Sequence, residues 1–388
     1  MLPRMLARRG DICVLLHAEG EEATEVPGLR CLRALPARSL SPGDDRRLRP
    51  LEAAVLDGEA AFHAARGLAS AGFRPDAIVA EGGFGPCLHL AEAFRGVPVL
   101  GDFGGYGPDD ASRAQLRLEL TACRRGMVES RFQRAGFPAE LRSKLDVVHP
   151  AVDTDLWAPA RGGAAARAEL GLSAKAELLA HCGSVFNGHR GGDCVLAAVA
   201  ELQARRPSLH VWLVGEDAEE AGAPTPSDGA RRAATRAAMT ALDRSRLRLA
   251  MGGGRDLRRA VLRAADVAIH LADGACPSRA LFEAMACGTA IAASDTPPMR
   301  EFLGDGESAL LSPFADPAAL AANVARLLDD RALASRLGRA ARRQAVADHG
   351  AERQASRKIG LLDELAGSDG RRPWTAAAAG QSASPNSA

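Results

Sequence analysis

The stretch Cys276-Pro-Ser-Arg-Ala-Leu-Phe-Glu-Ala-Met-Ala-Cys-Gly-Thr-Ala-Ile-Ala-Ala-Ser-Asp-Thr-Pro-Pro-Met-Arg-Glu301 decides how this chain is read. It predicts a short helix with one acidic residue, Glu283, in an otherwise apolar turn. A glycine stop at Gly288 and a small apolar strand over Ala290–Ala293 follow. Ser278 stands at the capping position, so the free backbone N–H groups after it form an anion site. Glu283 lies little more than one turn further on. A carboxylate beside a phosphate-sized hole suits a nucleotide-sugar: the N–H groups take the diphosphate and the carboxylate takes the ribose hydroxyls.

Outward from this stretch, apolar runs of four to six residues alternate with helical segments, which predicts a parallel, doubly wound sheet in each of two α/β halves. In the first half a helix remnant over Leu2–Arg9 precedes strands at Asp11–His17 and Leu29–Leu35. A long helix over about Leu51–Ser70 follows, then strands at Asp76–Ala80, Val97–Leu100 and Leu145–His149. Residues 151–175 have a linker composition. The second half runs through strands at Glu177–Gly183, Leu209–Val214, Leu247–Met251, Val267–Leu271, Ala290–Ala293 and Ala309–Leu311. Late helices are expected over Pro317–Leu328, Arg331–Asp348 and Glu352–Ala366. The implied division is a Rossmann-like domain over 1–150, a second over 151–350, a helix over 351–366, and a Gly/Ser/Pro/Ala-rich tail over 367–388 expected to be disordered. Two such halves place a cleft between the carboxyl ends of their sheets. The loops there, such as Ala80–Pro86, Gly101–Asp110, Gly183–Gly192 and Ala272–Arg279, are where function is expected.

Bulk composition excludes several classes. A formal net charge of +1 gives no electrostatic case for nucleic acid or an anionic membrane. Arginine outnumbers lysine 46 to 3, a bias better ascribed to codon usage in a GC-rich genome than to anion binding. The 8 cysteines contain no CxxC pair, which argues against a zinc site or a disulfide framework and fits a reducing cytosol. No apolar run approaches membrane-spanning length. The composition therefore predicts a cytoplasmic protein that binds no nucleic acid and has no transmembrane segment, with peripheral membrane contact left open.

Specific runs carry a resemblance. Val148-His-Pro-Ala-Val-Asp-Thr-Asp-Leu-Trp-Ala-Pro159, Arg190-Gly191, Leu213-Val-Gly215, Leu242-Asp-Arg-Ser-Arg-Leu-Arg-Leu249, Phe282-Glu-Ala-Met-Ala-Cys-Gly288, Ser294-Asp-Thr-Pro-Pro-Met-Arg-Glu301 and Asp305-Gly306 occur in order. In these the second half resembles the nucleotide-binding domain of retaining GT-B glycosyltransferases of the glycogen-synthase-like group, family four. The first half, from Gly72-Phe-Arg-Pro-Asp76 to Phe132-Gln-Arg-Ala-Gly-Phe-Pro138, is similar to its exopolysaccharide-type branch. The resemblance implies two Rossmann-like domains facing across a cleft, with the donor in the second and the acceptor on the first. It implies sugar transfer from a nucleotide-diphosphate sugar to a glycan, lipid-linked or small-molecule acceptor with retention, with no metal and no other cofactor.

By the same resemblance Glu283 binds the ribose, and Arg190 replaces a family lysine that neutralises the leaving diphosphate. Gly183, Ser184, Gly252, Ser278 and Arg279 complete the donor site, and Glu81 occupies the catalytic position on the first domain. The bland readings are a helix-terminal Glu favoured by the dipole and solvated loop arginines. Asp102 and His89 are further cleft residues, His89 being expected to be packed or exposed rather than catalytic.

Four departures from the family pattern accompany it. Ala275 stands eight positions before Glu283, where a first glutamate is usual. Ser184 replaces an arginine, and Glu81 in Ala80-Glu-Gly-Gly-Phe84 replaces a histidine. The helix remnant at Leu2–Arg9 stands where the family's first strand and loop have already passed, so an unpaired sheet edge is expected, with the true start upstream or the gene degraded. These losses keep a second reading open, a catalytically inactive GT-B protein that binds nucleotide or partner proteins.

Overall fold

The computed structural model describes residues 2–11, 13–17, 29–40, 48–104, 110–160, 163–183, 191–215, 235, 237–240, 242–251, 254–274 and 277–367. Two α/β domains follow one another. The second holds a six-stranded, wholly parallel sheet. Its strands are β7 (Glu177–Cys182), β8 (Leu209–Gly215), β9 (Leu247–Met251), β10 (Val267–His270), β11 (Ala290–Ser294) and β12 (Leu310–Ser312), in spatial order β12-β11-β10-β7-β8-β9. β7, β10 and β11 are buried almost throughout, as strands covered by helices on both faces must be. This is why they read in the sequence as unbroken apolar runs. The strand order reverses between β7 and β10, which opens a crevice at their carboxyl ends.

Polar residues set the ends of the covering helices. Asp316 accepts the N–H of Ala319 at 2.9 Å to start the helix Pro317–Asp329, and Asp330 accepts that of Leu333 at 2.9 Å to start Arg331–Asp348. Gly288 ends the helix Arg279–Cys287 with φ +70°, the left-handed conformation a side chain would resist. Its carbonyl lies against Gly338 so closely that a Cβ on Gly338 would come within 2.1 Å of that oxygen.

In the first domain β3 (Ile78–Gly82), β4 (Val99–Phe103), β5 (Arg125–Val128) and β6 (Leu145–Val147) form a parallel sheet in that order. β1 (Cys13–His17) and β2 (Leu29–Arg33) pair with each other as a separate parallel ribbon. Val14, Leu16 and Leu32 nevertheless pack on the same core as Ala61, Phe94 and Phe103. Among the described residues β3 has one strand neighbour, β4, and its Val79 and Glu81 side chains are exposed.

Several expected boundaries move. β3 and β4 end two and three residues later than their apolar runs, because Glu81 faces out from an edge strand. In β4, Phe103 fills room left by glycine: a Cβ on Gly82, Gly101 or Gly126 would lie 2.2, 2.4 or 2.9 Å from its ring. β5 was not expected. Its Arg-Gly-Met-Val sequence has no apolar run, and the glycine is what lets Phe103 in. The linker-like stretch 151–175 contains a helix, Gly163–Glu169, an alanine-rich run with Ala166 buried. The tail from 368 to 388 lies outside the described residues.

The last helix, Ala351–Gly367, returns to the first domain. Leu361, Leu362 and Leu365 pack with Leu100, Met127, Val148, Leu2 and Leu6. Lys358 reaches Asp102 at 2.8 Å, Arg9 reaches Asp363 at 2.7 Å, and Arg125 reaches Glu364 at 2.7 Å.

Candidate active site

The crevice at the switch point is lined by His181 and Gly183 at the end of β7, His270 at the end of β10, Pro277 and Ser278 before the helix Arg279–Cys287, and Met299. The loop after β10 is fixed from below. Ser294 Oγ accepts the N–H of Ala272 at 3.0 Å, and Thr296 Oγ1 donates to the Ala272 carbonyl at 2.7 Å. Gly183 continues the β7 ladder by donating to the Val214 carbonyl at 3.0 Å, so its backbone reaches the crevice in a fixed position.

Ser278 has the extended conformation of an N-cap, φ −67° and ψ 159°, yet its hydroxyl makes no capping hydrogen bond. The expected side-chain cap is therefore absent, and the first-turn N–H groups are not masked by that hydroxyl. Arg279, the first residue of the helix, is exposed. The helix itself is buried from Ala280 to Cys287.

Glu283 is 7% exposed and already engaged. Arg258, on the helix Gly254–Ala264, donates from Nε to Oε2 at 2.5 Å and from Nη2 to Oε1 at 3.0 Å, a two-pronged grip on both carboxylate oxygens. The Arg258 guanidinium also lies over the Trp157 ring, 5.7 Å from its centroid. A buried carboxylate needs a counter-charge, and Arg258 supplies it. Sequence reading missed Arg258. The available signal was its place on the amphipathic helix that precedes β10.

On the first domain Glu81 is exposed at the carboxyl end of β3, in register with Asp102 of β4. The loop after it is pinned by Glu119, fully buried on the helix Asp110–Ala122. Glu119 accepts the N–H groups of Gly83 at 3.1 Å and Gly85 at 3.2 Å, and the Gln115 amide at 2.8 Å. Burial pushes the Glu119 carboxyl up, and these hydrogen bonds oppose the rise. Glu129, just past β5, is also pushed up by burial and by Asp102, while Arg279 and Lys358 pull it back. Arg279 starts a second-domain helix and Glu129 follows a first-domain strand, so charge from one domain reaches a carboxyl of the other. Neither Glu119 nor Glu129 was found from the sequence, where each is a lone acid without a motif. His89 contacts Glu92 and the Phe62 ring, which fits a packing role.

The structure brings together Gly183, Ser278, Arg279 and Glu283 around one helix start and one strand end. Glu81 belongs to the other domain. Arg190, Ser184, Gly252 and Ala275 lie outside the described residues.

The domains touch through Glu301, whose Oε1 and Oε2 accept the N–H groups of Arg131 at 2.8 Å and Phe132 at 3.0 Å at the start of the helix Arg131–Gly136.

Two family models match in chain order, a glycosyl transferase family 4 group over residues 9–103 and glycosyl transferases group 1 over residues 165–344. Over residues 165–344 the second domain is thus similar to glycosyl transferases group 1. Among proteins of known activity, the chain is 30% identical over 270 residues to the D-inositol 3-phosphate glycosyltransferase of Streptomyces avermitilis, covering 67% of this chain and 56% of that one. It is 31% identical over 270 residues to the enzyme of the same name from Thermomonospora curvata, covering 67% and 62%. The chain thus spans roughly three fifths of the length of these relatives.

In structure, the second domain and its N-terminal partner together resemble sucrose-phosphate synthase from Thermosynechococcus elongatus, with a TM-score of 0.73 at 20% identity over 94% of this chain and 91% of that one. HepE of Anabaena, solved with UDP-glucose, superposes with a TM-score of 0.66 at 16% identity over 87% and 86%. The two-domain α/β fold expected from the sequence is that of the GT-B glycosyltransferases. Among the described residues no helix is long and apolar enough to cross a membrane.

Proposed function

We propose that this chain is a retaining glycosyltransferase that moves a sugar from a nucleoside-diphosphate sugar to an acceptor hydroxyl. The observation that carries the reading is the pairing of an uncapped helix start at the switch-point crevice with a buried carboxylate, Glu283, one turn along the same helix. N–H groups aligned with the helix dipole suit the diphosphate, and Arg279 adds charge there. Arg190 supplies the second cation, and Glu283 takes the ribose hydroxyls.

Loss of the nucleoside diphosphate leaves an oxocarbenium-like sugar. The protein acts by orienting the acceptor hydroxyl on the face the diphosphate leaves, as retention requires, and by stabilising charge on the departing diphosphate, which can take the hydroxyl proton. The reaction is proposed to run without a metal ion, since protein donors take that charge. Glu81 and the loop pinned by Glu119 lie on the opposing domain, where the acceptor would sit. The names of the curated relatives make a phosphorylated cyclitol the first acceptor to try, ahead of glycan and lipid-linked acceptors. A cytoplasmic enzyme acting in polysaccharide or small-glycoside synthesis, in peripheral contact with a membrane when its acceptor is lipid-linked, fits this chemistry.

The test is release of nucleoside diphosphate from UDP-, GDP- and ADP-sugars, with and without an acceptor panel, and the anomeric configuration of the product by NMR. E283Q should raise donor KM about tenfold, equivalent to about 1.4 kcal/mol of binding. Nucleotide binding without turnover on any acceptor would instead favour the inactive-protein reading, and failure to bind any of the donors would defeat both.

A further inference from the structure

We propose that Arg258 is a positioning residue for donor recognition, which fixes the Glu283 carboxylate for the ribose and, through Trp157, ties it to the segment that joins the two domains. This rests on the reading that Glu283 takes the ribose hydroxyls.

The grip has one geometry. Arg258 Nε and Nη2 meet the two oxygens of Glu283 side by side, at 2.5 and 3.0 Å. A planar fork on a planar carboxylate sets the orientation of both groups. The side chains of Arg258 and Glu283 are 20% and 9% exposed, so water does little to loosen the pair. Each carboxylate oxygen keeps a second lone pair on the edge turned away from the fork. On the ribose reading a vicinal diol takes those lone pairs while Arg258 stays in place, and the fork decides where they point. A lysine ammonium is a point charge and would hold the pair without fixing that plane.

The far side of the guanidinium rests on Trp157. Trp157 is 3% exposed, and its backbone N–H donates to the Asp153 carbonyl at 3.0 Å. It lies between the last strand of the first domain and the first strand of the second. A second contact grips the same helix from its other side. Phe282, next to Glu283, meets His349 with centroids 4.8 Å apart and Phe302 at 5.1 Å. His149, in the joining segment, meets Phe302 at 5.4 Å and His349 at 5.7 Å, and its Nδ1 lies 3.1 Å from the Glu129 carbonyl of the first domain. The helix that carries Glu283 is therefore held between Trp157, from the segment that joins the domains, and the Phe302–His349–His149 cluster, whose His149 reaches the first domain.

It follows that the orientation of Glu283 and the relation of the two domains are linked. A nucleotide that requires one orientation favours the domain arrangement that supplies it, and by reciprocity that arrangement favours the nucleotide.

The experiment titrates UDP, GDP and ADP by calorimetry into wild type, R258K, R258M, W157F, W157L and the double variant R258M/W157L, with kcat and KM measured on the best donor. R258M should weaken binding of the preferred nucleoside diphosphate about tenfold and raise donor KM to match, with kcat at saturating donor within about threefold of wild type. R258K should recover less than half of the lost affinity, W157F should bind as wild type, and W157L should weaken binding. The double variant should be no weaker than R258M alone, since both changes break one chain of contacts.

Additive losses, equal falls in kcat and affinity, or full rescue by lysine would overturn the proposal. Should R258M not fold, R258K and W157L decide the matter: both should bind the preferred nucleoside diphosphate more weakly than wild type, and wild-type affinity in either overturns the proposal. E283Q separates the two levels: wild-type nucleotide affinity in E283Q removes the ribose reading itself. Loss of affinity in E283Q with none in R258M or R258K removes only the role of Arg258.

Discussion

His349 is 2% exposed, packed among Phe282, Phe302 and His149. Burial pushes its imidazole from the ordinary 6.5 down to about 4, and the neighbouring His149 adds to the fall. The folded form therefore disfavours the proton that the unfolded chain accepts. The stability this site contributes is complete above about pH 6.5 and is lost as the pH falls toward 4, amounting to about 3 kcal/mol at most. H349F should flatten that part of the acid limb, read as urea midpoints between pH 7 and 4. A slope equal to that of wild type would show that other groups carry it. At this scale the candidate site was half legible. Glu283 announces itself in the run Phe282–Gly288, because one acid in an apolar helix turn has to be explained. Arg258 does not, since the helix Gly254–Ala264 also carries Arg255, Arg259 and Arg263, and only packing selects which of them meets Glu283. Glu119 is equally silent, because its partners are backbone N–H groups more than thirty positions away.

Among the elements, the crossing of the helices Arg279–Cys287 and Arg331–Asp348 is the tightest test of the packing. G338A would set a methyl group within 2.1 Å of the Gly288 carbonyl, which belongs to backbone and cannot swing aside. The expected cost is about 1–3 kcal/mol or more. Because the displaced helix carries Glu283, nucleotide affinity should fall with the melting temperature. A stable variant that has lost affinity, or an unstable one that keeps it, would contradict this. The second sheet was legible strand by strand because its central strands are covered on both faces, so that apolar runs and strands coincide. The first sheet was less so. At its edge a charged residue, Glu81, continues β3, and β5 hides behind Arg125 and Gly126, which exist to pair with Asp146 and to admit Phe103.

For the whole molecule, Glu301 fastens one domain to the other by hydrogen bonds to Arg131 and Phe132, beside the docking of the last helix on the first domain. E301A should leave the secondary structure intact and widen the scattering profile of the nucleotide-free protein, while an unchanged radius of gyration would assign the junction to the His149–Phe302–His349 contacts instead. The late helix over 351–366 was readable from its own periodicity, but its docking site was not, since nothing in a helix of alternating leucine and charge says which sheet it will cover. That docking has a consequence for how the protein is made. The face formed by Leu100, Met127 and Val148 is closed by Leu361, Leu362 and Leu365, which the ribosome supplies only after the entire second domain. Roughly 200 residues separate the two parts, or about 10–40 s of synthesis at typical rates of roughly 5–20 residues per second. During that interval the nascent first domain waits with an apolar face uncovered, and a chain that stalls inside the second domain offers that face to a chaperone.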